Sequence, residues 1–417
     1  KMVHTKELLS FTETSKEFLL LLSSTITQLK NSGISDFKNV DFSPFKSYLK
    51  DPLVLNTSLM LVLSLLCWIN SLATDNFSQV DRLWSILPFV YMFTFAHTEI
   101  LKVMFRYIPF FPTFYHKFSD TTLFPSETIL SSRPIDCRLI VMTLLVTFWS
   151  CRLTYNFYRK GGYRSTYEDY RWVDVRKLFN PFVFQIFNLV FIALIQQILL
   201  LYICTPAYLA YLSAQSILNN ELHSDGSNIK CTWTVVDTIA TIGMSLTLLF
   251  EAIADQQQWN FHAKKHAFVL KSNNADKEGM QSDGSSSSIA VADGDVKRGF
   301  LTHGLFRFSR HPNFFCEISN WYFFFLFSIG ALHSLYSPFA ASASSQGVSL
   351  SHVLKCVLED GLWFNWTLAG AISLNSLFLG STWLTEKISS SKYPAYAKYQ
   401  RTTSRLWPWI PGPALRD

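Results

Sequence analysis

The chain has 417 residues, of which 49% are hydrophobic, 16% aromatic and only 16% charged. Soluble domains carry about 25% charged residues, so this composition excludes an ordinary soluble enzyme and points to a multi-pass membrane protein. The net charge of +6 is modest, and its basic residues gather in a few loops; that suits anionic head groups or a phosphorylated ligand better than a nucleic-acid surface, and with no nucleic-acid-binding motif none is expected as a partner.

Taken in order, residues 1–50 read as one or two amphipathic or loosely ordered polar segments without a cleavable signal. Apolar runs of membrane-spanning length follow at 53–73, 86–104, 139–157, 182–212, 233–254, 321–335 and 362–384. The fourth is longer than one span needs and contains Pro206, a residue that ends or kinks helices. The sixth is short unless its helix starts near Pro312. The expectation is an all-α, multi-pass transmembrane bundle of about seven spans. Residues 51–265 hold the first five membrane helices, 266–299 form a disordered Ser/Gly/Asp-rich insert, and 300–417 hold the last two helices and a cytosolic tail. Segments 158–177, 255–320 and 387–405 are rich in Lys and Arg, whereas 213–232 and 336–361 are poor in them; the basic segments therefore share the cytosolic side. The cysteines stand singly, with no C-x-x-C and no Cys/His ligand spacing, so neither a disulfide nor a metal site is expected.

Polar residues interrupt the runs at recurring places. D-R-L-W at Asp81–Trp84 precedes the second run: Asp81 suits a helix cap and Trp84 an aromatic belt. His97 and Glu99 fall inside that run. Arg152, Asn156 and Arg159 recur at helical spacing at the end of the third, where Arg152 needs an anionic partner. At the end of the fifth, Glu251, Asp255, Gln258 and His262 share one helical face. The stretch R-F-S-R-H-P-N-F-F-C-E-I-S-N-W, Arg307–Trp321, sets Arg307, Arg310 and His311 before a helix start at Pro312, and Asn313 and Glu317 lie just inside it. A helix start flanked by arginines favours a phosphate, although basic anchoring at a membrane surface uses the same residues. In the tail, Tyr396, Tyr399 and Arg401 read as a short amphipathic helix at the same face.

Together with W-S-C-R-L (149–153), E-D-Y-R-W (168–172), E-A-I-A-D-Q-Q (251–257), G-L-F-R-F-S-R-H-P-N-F-F-C-E (304–317) and the Y-x-x-Y-x-x-x-T-S tail (396–404), these features resemble the DUF1295 family. That family is a branch of the steroid 5-alpha-reductase C-terminal-domain superfamily, which is similar in part to isoprenylcysteine carboxyl methyltransferases. The chain departs from the family pattern at Phe314, typically Tyr, and Cys316, typically Gly. The resemblance implies an NADPH site at a cytosol-facing mouth. Glu251, Asp255, Arg307, Arg310, His311, Asn313 and Glu317 would contact the cofactor, with Tyr399 and Arg401 closing over it. Asp81, Trp84, Arg152 and Asn156 would border a cavity for a lipid or sterol-like substrate. Reduction of an enone needs a donor to its carbonyl, for which Tyr91 and Glu99 are the candidates, with His97 beside them. The implied partners are the bilayer and the lipid substrate, the implied location the endoplasmic reticulum. Two alternatives stand beside this: S-adenosylmethionine-dependent methyl transfer to a lipid or lipidated substrate, and a non-catalytic membrane scaffold.

Overall fold

The computed structural model describes residues 50–116, 125–221, 233–277, 294–336, 362–413 and 415, and among these it is helical with no strand. The helices are α1 (Pro52–Thr74), α2 (Gln79–Leu83), α3 (Leu87–Tyr107), α4 (Phe111–His116), α5 (Glu127–Ser132), α6 (Cys137–Arg159) and α7 (Tyr170–Arg176). Then come α8 (Pro181–Tyr202), α9 (Pro206–Glu221), α10 (Val235–Lys277), α11 (Gly294–Arg298), α12 (Pro312–Tyr336), α13 (Leu368–Lys392) and α14 (Tyr396–Thr402).

Their starts follow from local chemistry. Asp51 caps α1 by accepting from the backbone of Leu53 at 2.7 Å, with Pro52 in the first turn. Asp136 caps α6 through Leu139 N–H at 2.9 Å, and Asn180 caps α8 through Val183 N–H at 2.9 Å, again just before a proline. The expected run 182–212 is two helices, because Pro206 has no N–H to continue α8 and instead opens α9. The middle of α8, Asn188–Ile195, is π-helical. The sixth run becomes membrane-length by starting at Pro312.

Five helices among the described residues are long and apolar enough to cross a bilayer: α1, α6, α8, α10 (its Val235–Leu270 part) and α12. The chain is therefore a multi-pass membrane protein, with five such helices where about seven spans are expected. Glu99, Lys102 and Arg106 interrupt α3, and α9 is only 16 residues long. Within the segment 266–299, expected to be a disordered insert, α10 continues to Lys277 and α11 begins at Gly294, and 278–293 lies outside the described residues. The expectation for residues 1–49 lies outside the described residues.

The chain divides into two compact units. The first takes Lys1–Thr238 and Phe325–Gly370, the second Ile239–Phe324 and Ala371–Asp417. In the first unit, Leu209, Val236, Phe325, Ile329 and Leu332 form one apolar cluster and Cys67, Phe77, Val80, Trp172, Phe184 and Ile192 another. An ion pair is buried there: Arg138 Nε and Nη2 donate to the two carboxylate oxygens of Asp237 at 2.8 and 2.9 Å. Gly330 makes room for it, since a Cβ at that position would lie 2.5 Å from Asp237 Oδ1. In the second unit the aromatic rings of Phe300, Tyr396 and Tyr399 pack together.

Candidate functional site

In the second unit, segments far apart in sequence meet at the start of α12. Gln257, on α10, accepts from Leu305 N–H at 3.0 Å. Gly304 permits that approach: its φ is +64°, and a Cβ there would lie 2.5 Å from Gln257 Oε1. Tyr399 O–H donates to the carbonyl of Phe306. Arg310 N–H donates to Ser404 O at 2.8 Å and His311 N–H to Arg405 O at 3.2 Å, so the residues after α14 run alongside the segment that enters α12.

The side chains of that segment turn inward. Arg310 Nε and Nη2 donate to the Glu386 carboxylate at 2.6 and 3.1 Å, and its Nη1 donates to the carbonyls of Gln400 and Thr403. His311 Nε2 lies 3.2 Å from Glu386 Oε1, and Gln400 Nε2 donates to Oε2 at 3.1 Å. Burial alone would raise the Glu386 carboxyl, but hydrogen bonds from His311 and Arg310 hold it down to about 2. Glu386 is the central acceptor here, and the sequence reading missed it. Its only sequence signal is a carboxylate just beyond the last apolar run, where interfacial charges are commonplace. Burial pushes the Tyr399 phenol up, consistent with an O–H that stays protonated on its carbonyl.

The other expected residues vary in exposure. Arg307 is half-buried and donates to Gly412 O. Asn313 and Asp255 are half-buried and Arg401 is exposed. Glu317 is buried and accepts from Trp321 Nε1–H, its i+4 neighbour, at 2.9 Å. Glu251 is buried and accepts from Asn320 Nδ2 at 2.7 Å, while Asn320 Oδ1 accepts from Thr247 at 2.5 Å. A carboxylate of α10 is thus tied to an amide of α12 inside two membrane-length helices. Phe314 stacks on His311 with centroids 5.5 Å apart and meets Phe378 edge-on at 4.9 Å, so its ring fills apolar space. Cys316 is buried.

In the first unit, Asp81 accepts from Trp172 Nε1–H at 3.0 Å, joining D-R-L-W to E-D-Y-R-W. Desolvation pushes its carboxyl up despite that bond. Glu168 accepts from Phe77 N–H at 2.9 Å and from Arg176 at 2.9 Å. Ser150, in W-S-C-R-L, donates to Ser85 O at 2.6 Å. Trp84 and Arg152 are half-buried and Asn156 is buried. Of the two suggested donors, Glu99 is ion-paired with Lys102 at 2.7 Å and accepts Asp136 N–H at 2.7 Å. Tyr91 is fully buried, and its hydroxyl has no hydrogen-bond partner. Among the described residues, no group of His, Cys, Asp or Glu could hold a metal ion.

Residues 119–353, over half the chain, match a family described as a protein of unknown function, DUF1295. The chain belongs to the DUF1295 family. It is similar to an uncharacterized protein of Schizosaccharomyces pombe, C594.04c, at 32% identity over 391 residues, which cover 94% of this chain and 89% of that protein. No solved structure matches. The DUF1295 match takes in Trp149–Leu153, Glu168–Trp172, Glu251–Gln257 and Gly304–Glu317, the segments that carry contacts in both units.

Proposed function

We propose that this DUF1295 protein is an NADPH-dependent reductase of a carbon–carbon double bond in a lipid or sterol-like enone, resident in the endoplasmic reticulum membrane. The observation that supports this reading is the meeting of Glu251–Gln257, Gly304–Glu317 and Tyr396–Ser404 at one helix start in the second unit. Packing alone does not require Glu251, Glu317, Asn320 and His311 to be buried together there.

The residues fit an anionic, sugar-bearing cofactor in a particular way. Arg310 is committed to Glu386 and two backbone carbonyls, so its role is to fix the entry to α12. Phosphate contact then falls to Arg307 and Arg401 together with the helix start. Asp255, Asn313 and Glu317 are the groups for the ribose or nicotinamide end. The Thr403 hydroxyl and the Gln258 amide oxygen are buried without a partner, which leaves polar atoms for a bound sugar or phosphate to meet. NADPH, when bound, supplies the hydride for the double bond.

A second reading, a non-catalytic membrane scaffold, is favoured by the commitment of Arg310 and Tyr399 to the protein itself. Thermal unfolding of the detergent-purified protein with NADPH or S-adenosylmethionine separates the readings. A ligand at 100 times its Kd stabilises by about 2.7 kcal/mol. A shift with NADPH alone is expected. A shift with S-adenosylmethionine alone would establish the methyltransferase instead, and no shift with either would favour the scaffold.

A further inference from the structure

After α14 the second unit sets out apolar side chains that a water-facing surface would hide. Trp407, Trp409 and Ile410 are 73%, 72% and 84% exposed, and Phe308 is 47% exposed. The stretch is nonetheless held in place along its backbone. Ser309 Oγ donates to Leu406 O at 2.8 Å, Trp409 N–H donates to Phe308 O at 3.1 Å, and the Leu406 side chain is buried. Trp407 has a defined height as well: its ring meets Phe315, in the first turn of α12, with centroids 5.2 Å apart.

The length of α12 fixes what lies at that height. Its 23 spanning residues, Pro312–Ser334, cover about 35 Å at a rise of ~1.5 Å each, a little more than the ~30 Å hydrocarbon core of a bilayer. The first turn therefore stands at the edge of that core, the level at which Trp gathers in membrane proteins. The end of α13 reaches the same level, because Glu386 is tied to Arg310, two residues before Pro312. One turn before Glu386, Trp383 is exposed, and Lys387 Nζ reaches over its ring, 5.1 Å from the centroid. Charge selects the occupant of this face. Across 300–324 and 371–413 the carboxylates are Glu317 and Glu386, and both are buried. Lys387, Lys392, Lys398, Arg401 and Arg405 are exposed. Exposed aromatics flanked by positive charge, with no exposed acid among them, fit an anionic lipid surface. A second copy of this chain would bring the same positive charge against it.

We propose that Phe308, Trp407, Trp409 and Ile410 form a wedge seated in the head-group layer of the bilayer, and that the exposed lysines and arginines around it draw in acidic phospholipids. This does not depend on the reductase reading, and its test contains no nucleotide. The full chain is placed in nanodiscs of phosphatidylcholine mixed with phosphatidylserine. One lipid at a time carries a diazirine on the glycerol-proximal part of its acyl chain, and after illumination the labelled peptides are read by mass spectrometry. Peptides of α12 are the internal positive control. Label should fall on residues 406–412 as well as on α12, and on 406–412 it should come preferentially from phosphatidylserine. Lys387→Gln and Lys398→Gln, both at exposed positions, should each lower that preference about fivefold at low salt. Added salt should lower it in the wild type. The double substitution Trp409→Ser, Ile410→Ser should reduce labelling of 406–412 from either lipid and leave that of α12 unchanged. Label on α12 without label on 406–412 would overturn the wedge. Equal labelling by the two lipids, indifferent to salt and to both lysine substitutions, would overturn the acidic-lipid preference. Crosslinks between the 406–412 segments of two copies, in place of lipid label, would assign the face to a dimer and overturn the proposal.

Discussion

Glu386 gathers donors from Arg310, His311 and Gln400 around one buried carboxylate. Removing one partner of such a buried pair leaves the other charge uncompensated, so Glu386→Gln should cost about 3–5 kcal/mol in a denaturant titration. The sign with pH is fixed by the direction of the shift. The carboxyl sits at about 2 in the folded chain against an ordinary 4.5, so its contribution is complete above the ordinary value and is lost as pH falls towards the folded one. Wild-type melting temperature should therefore drop across that acid window, and the variant should lack that part of the drop. Glu317→Gln belongs to the same scale but a different question. Its carboxylate accepts from Trp321, and the amide keeps an acceptor there. The fold should persist while the NADPH-dependent thermal shift shrinks; an undiminished shift would place Glu317 outside the cofactor site. Nothing near Glu386 in sequence announces Arg310, 76 residues away. Glu317, by contrast, was legible because helical spacing from Pro312 set it on one face with Asn313 and Asn320.

At the scale of elements, two features decide where helices start and how they approach. Gly304 sits at φ +64° against the Gln257 amide. Gly304→Ala should cost about 1–2 kcal/mol from the left-handed backbone alone, and more from the collision. Gly380, inside α13 with open space around it, is the control: Gly380→Ala should stabilise by about 0.5–1 kcal/mol in the same titration. The Arg138–Asp237 pair joins α6 to α10 within the first unit. Arg138→Met should destabilise by about 3–5 kcal/mol by stranding Asp237, and adding Asp237→Leu should recover most of that loss. Equal losses in the single and double variants would mean that the pair acts through shape instead. Prolines made the break before α9 and the start of α12 readable in advance, through Pro206 and Pro312. The π-helical turn in α8 was not readable, because Asn188–Ile195 is uniformly apolar after its first residue and carries no periodic signal.

For the whole molecule, five apolar helices of spanning length require a bilayer or a detergent in its place. Alkaline carbonate washing of membranes should leave the protein in the pellet, and detergent should release it. Release by carbonate alone would contradict integral insertion. Composition and the length of the apolar runs determined the all-helical, membrane-spanning class, since only helices satisfy their own backbone within a short run of sequence. They marked the candidate segments as well, because a charged residue inside an apolar run is conspicuous by itself. Tertiary structure alone decided which partners those charges have. Arg310, which reads from the sequence as a phosphate ligand, is a buried tie to Glu386, and Glu99, a candidate donor, is held by Lys102 and a backbone N–H. The physical reason is the same in each case. Whether a polar group is satisfied depends on atoms within about 3 Å, and for Arg310 and in part for Glu99 those atoms come from segments distant in sequence.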